Sequence, residues 1–290
     1  MEFGLFVEFP ANSTTTQPQI FRDSLELIDA AEELGSEGIW LAEYHFNPAR
    51  SVLSAPVTVA GAIAGRTKRV KIGLAVHVLP LRNPVQIAEE IATLDHLSNG
   101  RLDFGIGRAA FPRIYQGYGL DYSESRDRFD ECLEIILKCW TTDKFSFSGK
   151  YYKFDDISVV PQPLQKPHPP IRVGATSVDT FELVGRMGYP IFINPSRVTT
   201  LMDLKPMVSE FHAARKKAGH IGQVDVGIRV PVYVAETEAK AYSEPKESTM
   251  FQMKRLVNVV TESIGQAGIT VGDDRVSQAE RLNAMTYEDV

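Results

Sequence analysis

Apolar positions along the first 110 or so residues follow two periods in alternation. Glu2 to Phe9 alternates as a strand does, and Phe21, Leu25, Ile28, Ala31 and Leu34 then share one face of a helix that Gly35 ends. Gly38 to Ala42 is almost wholly apolar, as a strand covered on both faces requires, and its C-terminal end delivers Glu43, Tyr44, His45 and Phe46. Pro56 to Gly65 reads as a second helix and Val70 to Leu79 as a third strand. The stretch NPVQIAEEIATLDHLSNGRLDFGIGR, Asn83 to Arg108, carries the strongest pattern. Pro84 suits a first helical turn, and Val85, Ile87, Ala88, Ile91, Ala92, Leu94 and Leu97 recur at helical spacing. Asn99 and Gly100 stop that helix, and Leu102, Phe104 and Ile106 form a strand whose exit is Gly107 and Arg108.

Four β-then-α repeats predict a parallel α/β fold. Beyond Phe111 the rhythm breaks. Arg126 to Trp140 is helical, Phe145 to Leu164 alternates like a hairpin, and QPLQKPHPP is a proline-rich connector, so 111–170 reads as an insertion. Strand and helix then resume as Ile171 to Ala175, Thr180 to Met187, Pro190 to Asn194, Leu201 to Ala218 and Val226 to Ala235. The remainder, 236–290, is polar and helix-leaning, with no apolar strand after Val271. The expectation is one (β/α)8 TIM-type barrel domain over 1–290, with an insertion after strand four and the eighth strand not visible. Such a barrel exposes two unpaired edges.

Composition narrows the function classes. A formal charge of -6 and the lack of a large Lys/Arg cluster argue against a nucleic-acid partner. No apolar run approaches a membrane span, and the N-terminus MEFGLFVEFP carries acid where a signal peptide needs base, so a cytoplasmic protein is expected. Cys132 and Cys139 fall on one helix about 10 Å apart along its axis, out of disulfide reach, as buried small hydrophobes. Neither they nor the histidines show metal-ligand spacing.

Several chemistry-bearing residues fall at strand ends on one rim: His45, the Ala75 to His77 segment, Arg108, Ser177 with Thr180, and Asn194. Arg108 presents the fork that a phosphate or carboxylate demands, or is a paired surface arginine. Ser177 is an N-cap, and with Thr180 and the free amides of a helix start it would also hold a phosphate monoester. Asp179 between them is expected to face solvent. GIGRAA matches a dinucleotide fingerprint in letters only, because Phe111 and Pro112 follow at once and no helix is expected there. His45 is a base, a substrate anchor or a packed histidine; His77 lines the pocket or faces a helix; His96 is a helix contact or dimer-surface residue.

Taken together, WLAEYHF, KIGLAVHVLP, NPVQIAEEIATLDHLSNGRLDFGIGR and IRVGATSVDT resemble the bacterial luciferase-like flavin-dependent monooxygenases, from Met1 to about Ala235. The resemblance implies a TIM-type barrel, a homodimer, and reduced FMN (FMNH2) supplied by a separate NAD(P)H:flavin reductase. It also implies reaction with O2 through a C4a-peroxyflavin that oxygenates a small organic substrate. By position it places Arg108, Ser177 and Thr180 at the FMN phosphate, the Ala75-Val76 pair as a non-proline cis peptide against the flavin, and Gly107 and Ala110 at the isoalloxazine pocket. His45 carries catalysis, with Tyr44 beside it.

Two departures matter. Tyr44 stands where the catalytic luciferase subunit has the first of two adjacent histidines, and Thr176 where it has a glutamate near the phosphate. Both are similar to the non-catalytic subunit, while Arg108 is like the catalytic one, so light emission is not expected. Three readings therefore stand: a monooxygenase, a flavin-binding subunit or carrier without turnover, and a deazaflavin-dependent hydride-transfer enzyme. The 111–170 insertion and the loop after Ala235, with Gly265, Gly268 and Gly272, are the candidate lid.

Overall fold

The computed structural model describes residues 1–11, 14–109, 111–175, 178–195, 201–266 and 283–289. Its first half repeats strand and helix: β1 (Gly4–Val7), α1 (Gln17–Glu33), β2 (Gly38–Leu41), α2 (Pro56–Arg66), β3 (Lys71–Leu74), the two-residue β4 (His77–Val78), α3 (Pro84–Leu97) and β5 (Leu102–Gly107). A short helix α4 (Pro112–Gly117), the long α5 (Ser125–Thr141) and an antiparallel hairpin of β6 (Phe145–Ser148) and β7 (Lys153–Ile157) form the insertion. The alternation resumes with β8 (Ile171–Ala175), α6 (Val178–Met187), β9 (Ile191–Ile193), α7 (Leu204–Lys217) and β10 (Val226–Ile228), and helices α8 (Glu238–Ser243) and α9 (Lys246–Gln266) follow.

The barrel strands lie in the order β1-β2-β3-β5-β8-β9-β10, all parallel, with β4 a side branch on β5. Among the described residues no strand pairs with the outer edge of β1 or of β10, and the Arg229 side chain spans that seam. Arg229, just past β10, has Nη1 3.3 Å from Glu8 Oε1 beyond β1, and its guanidinium lies 4.8 Å from the centre of the Phe6 ring.

The two faces of the sheet are filled differently. Ile39, Leu41, Ile72, Leu74, Leu102, Phe104 and Ile106 alternate toward the helices and are buried. On the other face the Trp40 and Phe192 rings meet edge to face at 4.6 Å, and the Arg172 guanidinium sits 5.6 and 5.5 Å from their centres. Arg172 is itself held by Asp103 at 2.8 Å and Asp225 at 2.9 Å, so its charge is paired. Glycines make room for the rings: a Cβ on Gly73 would stand 1.8 Å from Trp40, and one on Gly227 2.7 Å from Phe192.

Four sequence expectations need correction. The third strand stops at Leu74, because the chain turns through a cis Ala75-Val76 peptide before β4. A helix does begin at Pro112, where none was expected; its six residues are too few to show a period. The last barrel strand covers only 226–228 of the 226–235 read from its alternation. The helix-leaning reading after Ala235 matches α8 and α9, but Gly265, placed in a loop, falls in α9, and Gly268 and Gly272 lie outside the described residues. Cys132 and Cys139 are free and buried as expected, and burial pushes their thiols up to about 11 and about 12.

Gly73→Ala is expected to destabilise the fold by about 1 to 3 kcal/mol through overpacking against Trp40. Gly65→Ala, in α2 with nothing near the added methyl, should instead stabilise by about 0.5 to 1 kcal/mol. Urea unfolding of both variants checks the contrast.

Candidate active site

The exit of β2 carries a buried carboxylate. Glu43 Oε1 lies 2.8 Å from His45 Nε2, and Oε2 lies 2.7 Å from His77 Nδ1 and 3.3 Å from the Val78 amide. Its side chain has no exposed surface. Burial alone would raise the carboxyl, but the charge and hydrogen bonds of the two histidines outweigh it and hold Glu43 at about 2. Glu43 therefore joins the end of β2 to β4 across the cis peptide.

On the far side of His45, the Tyr118 hydroxyl is 3.0 Å from Nδ1, with the two rings edge to face at 5.2 Å. Phe46, at a left-handed φ of 54°, completes an aromatic cluster 5.2 Å from Tyr118. The end of α4 seats on that ring because Gly117 has no side chain: a Cβ there would lie 2.2 Å from Phe46. The sequence pattern missed Glu43 and Tyr118. Glu43 carries a weak signal, two residues before His45 and thus on the same side of an extended exit; Tyr118, in an insertion, carries none.

Tyr44 faces another network. Its hydroxyl donates to Glu8 Oε1 at 2.8 Å and accepts from Arg50 Nη2 at 3.0 Å, while the same Arg50 nitrogen reaches the Glu8 oxygens at 2.6 and 2.8 Å. Burial, then the Glu8 charge, raise the phenol to about 12. Adjacent residues thus serve separate clusters: Tyr44 meets the seam, and His45 meets Glu43.

Arg108 leaves β5 with Nη1 donating to Ser125 Oγ at 2.9 Å, and the Tyr115 hydroxyl donates to its carbonyl. Beside it, Val76 of the cis pair packs over two glycines: a Cβ on Gly107 would lie 2.4 Å from Val76, and one on Gly174 3.1 Å. The Ala75 amide donates to the Leu41 carbonyl at 2.7 Å, which ties this turn to β2. Helix α6 starts three residues after β8, with Thr180 half-buried in its first turn and Asp179 exposed. Ala110, Thr176 and Ser177 lie outside the described residues. His77 is fully buried, 6.1 Å from Phe104, so it faces the helical layer. His96 bonds the Gln162 carbonyl at 2.9 Å and ties α3 to the connector, and Asn194 is exposed.

A sequence profile described as luciferase-like monooxygenase matches residues 1–286. The chain belongs to that family. It is 30% identical to the oxygenase component of a flavin-dependent trigonelline monooxygenase of Acinetobacter baylyi, over 87% of this chain and 70% of the relative. It is 29% identical to an alkanal monooxygenase beta chain of Photorhabdus laumondii, over 93% of this chain and 84% of that one. A monooxygenase of Streptomyces bottropensis superposes with TM-score 0.82 at 25% identity, covering 100% of this chain and 95% of the other. The oxygenating constituent of the Pseudomonas putida 3,6-diketocamphane monooxygenase, solved with FMN, has TM-score 0.83 at 21% identity, over 100% of this chain and 82% of that one, and shares the fold. The luciferase-like relatives are oxidoreductases that incorporate oxygen, and this chain is an enzyme of that class. Among the described residues no helix is long and apolar enough to cross a membrane, and no group of three His, Cys, Asp or Glu could hold a metal ion.

Because the folded carboxyl of Glu43 lies near 2, below its ordinary 4.5, its contribution is complete above about pH 4.5 and is lost as the pH falls toward 2. Glu43→Gln should cost about 3 kcal/mol of stability at pH 7. In denaturant titrations the gap to wild type should narrow between pH 4.5 and 3; a gap independent of pH would refute the buried carboxylate.

Proposed function

We propose that this chain is the oxygenase of a two-component system, taking reduced FMN from a separate NAD(P)H:flavin reductase and using O2 to oxygenate a small organic substrate. The observation that carries this reading is a convergence at one rim. The Arg108 cation, the first turn of α6, and the Ala75-Val76 turn packed on Gly107 and Gly174 lie at the same strand ends as the Glu43–His45 pair. These residues fit FMN: a cation and helix amides for the phosphate, and a floor of small residues for a flat ring.

By position in the sequence, Arg108, Ser177 and Thr180 would hold the phosphate, with Thr176 next to Ser177 in the chain, and Ala75, Val76, Gly107 and Ala110 would serve the ring. Reduced FMN supplies the electrons that activate O2. His45, oriented by Glu43, handles protons, while the Tyr44 hydroxyl beside it is committed to Glu8 and Arg50. The 111–170 insertion excludes water from the site, since α4 already rests on Phe46. In this reading the chain pairs with a second copy, and the candidate contact is the groove between α2 and α3, where exposed Leu97 lies among Arg82, Glu89 and Glu90.

A second reading, a flavin-binding subunit without turnover, is favoured by Tyr44: its hydroxyl is committed to Glu8 and Arg50, which leaves one histidine where the catalytic luciferase subunit has two. Rapid mixing of the protein and FMNH2 with oxygenated buffer separates the two. Flavin reoxidation slower than that of free FMNH2, with oxygen appearing in product during a substrate screen, supports the oxygenase; reoxidation at the rate of free FMNH2 sinks it. Arg108→Ala should weaken FMN binding by about 1 to 3 kcal/mol in equilibrium titration, the usual loss of a charge-assisted hydrogen bond.

A further inference from the structure

His45 has both ring nitrogens engaged, Nε2 with Glu43 at 2.8 Å and Nδ1 with the Tyr118 hydroxyl at 3.0 Å. It is only 7% exposed. A ring held in this way offers no free nitrogen to a ligand. Tyr118, by contrast, is 45% exposed, so the end of the chain of hydrogen bonds that can meet a ligand is a phenol.

The hydrogens follow from the partners. Glu43 is a carboxylate and only accepts, so Nε2 carries a hydrogen; in the neutral ring Nδ1 is then a lone pair, and the phenol O–H is its donor. A carboxylate, an imidazole and a hydroxyl in line are the arrangement in which a base behind a hydroxyl lets that hydroxyl give and take protons. His77 occupies the other Glu43 oxygen at 2.7 Å, which fixes the carboxylate.

We propose that Tyr118 is the catalytic acid–base group at this rim, with His45 and Glu43 as its positioning residues. The proposal rests on reading the rim as the flavin site. In the forward step a proton leaving the ligand bound at the rim forms a bond to the phenolic oxygen while the phenol's own O–H breaks and its proton passes to His45 Nδ1. The ring becomes imidazolium against the Glu43 carboxylate, and no electrons are gained or lost. The reverse step returns the proton, and with the imidazolium donating to the phenol oxygen, the Tyr118 O–H is free to donate to the ligand.

The neighbourhood suits a shuttle rather than a resting phenolate. Desolvation raises the Tyr118 pKa; Arg82 opposes the rise and Glu43 adds to it. The charged or titratable groups acting on this pair are Glu43 at the exit of β2, His77 of β4 on the other Glu43 oxygen, and Arg82 just before α3. The chain from Arg108 to Tyr118 is short, and the Tyr115 hydroxyl pins it at the Arg108 carbonyl, so one segment carries both the cation and the phenol.

The test uses the full chain with nitrogen-15-labelled histidine. Without flavin, His45 is expected as the Nε2–H tautomer with a hydrogen-bonded Nδ1, and Tyr118→Phe should move that Nδ1 resonance to the position of a free lone pair, with thermal melting confirming a folded variant. With FMNH2 and O2, the pH-sensitive phase of flavin oxidation should fall about a hundredfold in Tyr118→Phe, the usual scale of a general acid–base contribution. An Nδ1 resonance unmoved by Tyr118→Phe, or oxidation matching wild type at every pH, overturns the relay. A wild-type chain that neither binds FMN nor alters FMNH2 oxidation sinks the cofactor reading instead, and the imidazole resonances then decide the hydrogen-bond relay by themselves.

Discussion

Two aromatic rings at the centre of the barrel dictate much of what surrounds them. Trp40 and Phe192 come from strands on opposite sides of the sheet order and touch at 4.6 Å. Strands facing them can approach only where they lack a side chain, which explains glycine at 73 and 227 although glycine weakens a strand. The same device recurs one layer higher, where Gly107 and Gly174 admit Val76. The packed floor of the barrel and the cradle at its rim are thus one solution, in which a large group on one strand is matched by a missing Cβ on its neighbours. Arg172, within 5.6 Å of both ring centres, has its own charge paired with Asp103 and Asp225.

The parts of the fold legible in the sequence are those with local causes. Helix α3 and strand β5 match their reading because the Asn83 side chain caps the helix start at Val85 and Asn99 and Gly100 take the left-handed conformations, φ 55° and 75°, that end it. Strand ends fail where pairing depends on a distant partner. Val230, Val232 and Val234 keep the alternation of β10, yet they are exposed and belong to no strand. The interruption of the third strand left no mark on hydrophobicity, because Ala75 and Val76 are as apolar as a strand requires. The candidate site divides in the same way. Strand-end positions were readable from topology, whereas the Tyr118–His45 contact joins residues 73 apart and has no periodic trace.

The seam explains the residue that most sets this chain apart from the catalytic luciferase subunit. Among the described residues β1 and β10 are joined by side chains, and the junction is Glu8, which receives Arg229 from one side and Arg50 and Tyr44 from the other. The carboxylate has oxygens to satisfy, and Arg50 needs an acceptor in addition to Glu8. A phenol serves both, donating to Glu8 and accepting from Arg50 through one oxygen. An imidazole would need opposite roles on two nitrogens that point in different directions, and could not place both at that oxygen's position. Tyr44 is therefore accounted for by barrel closure. The proposed proton chemistry then belongs on the other side of the β2 exit, where a carboxylate with no exposed surface lies 2.8 Å from His45 Nε2.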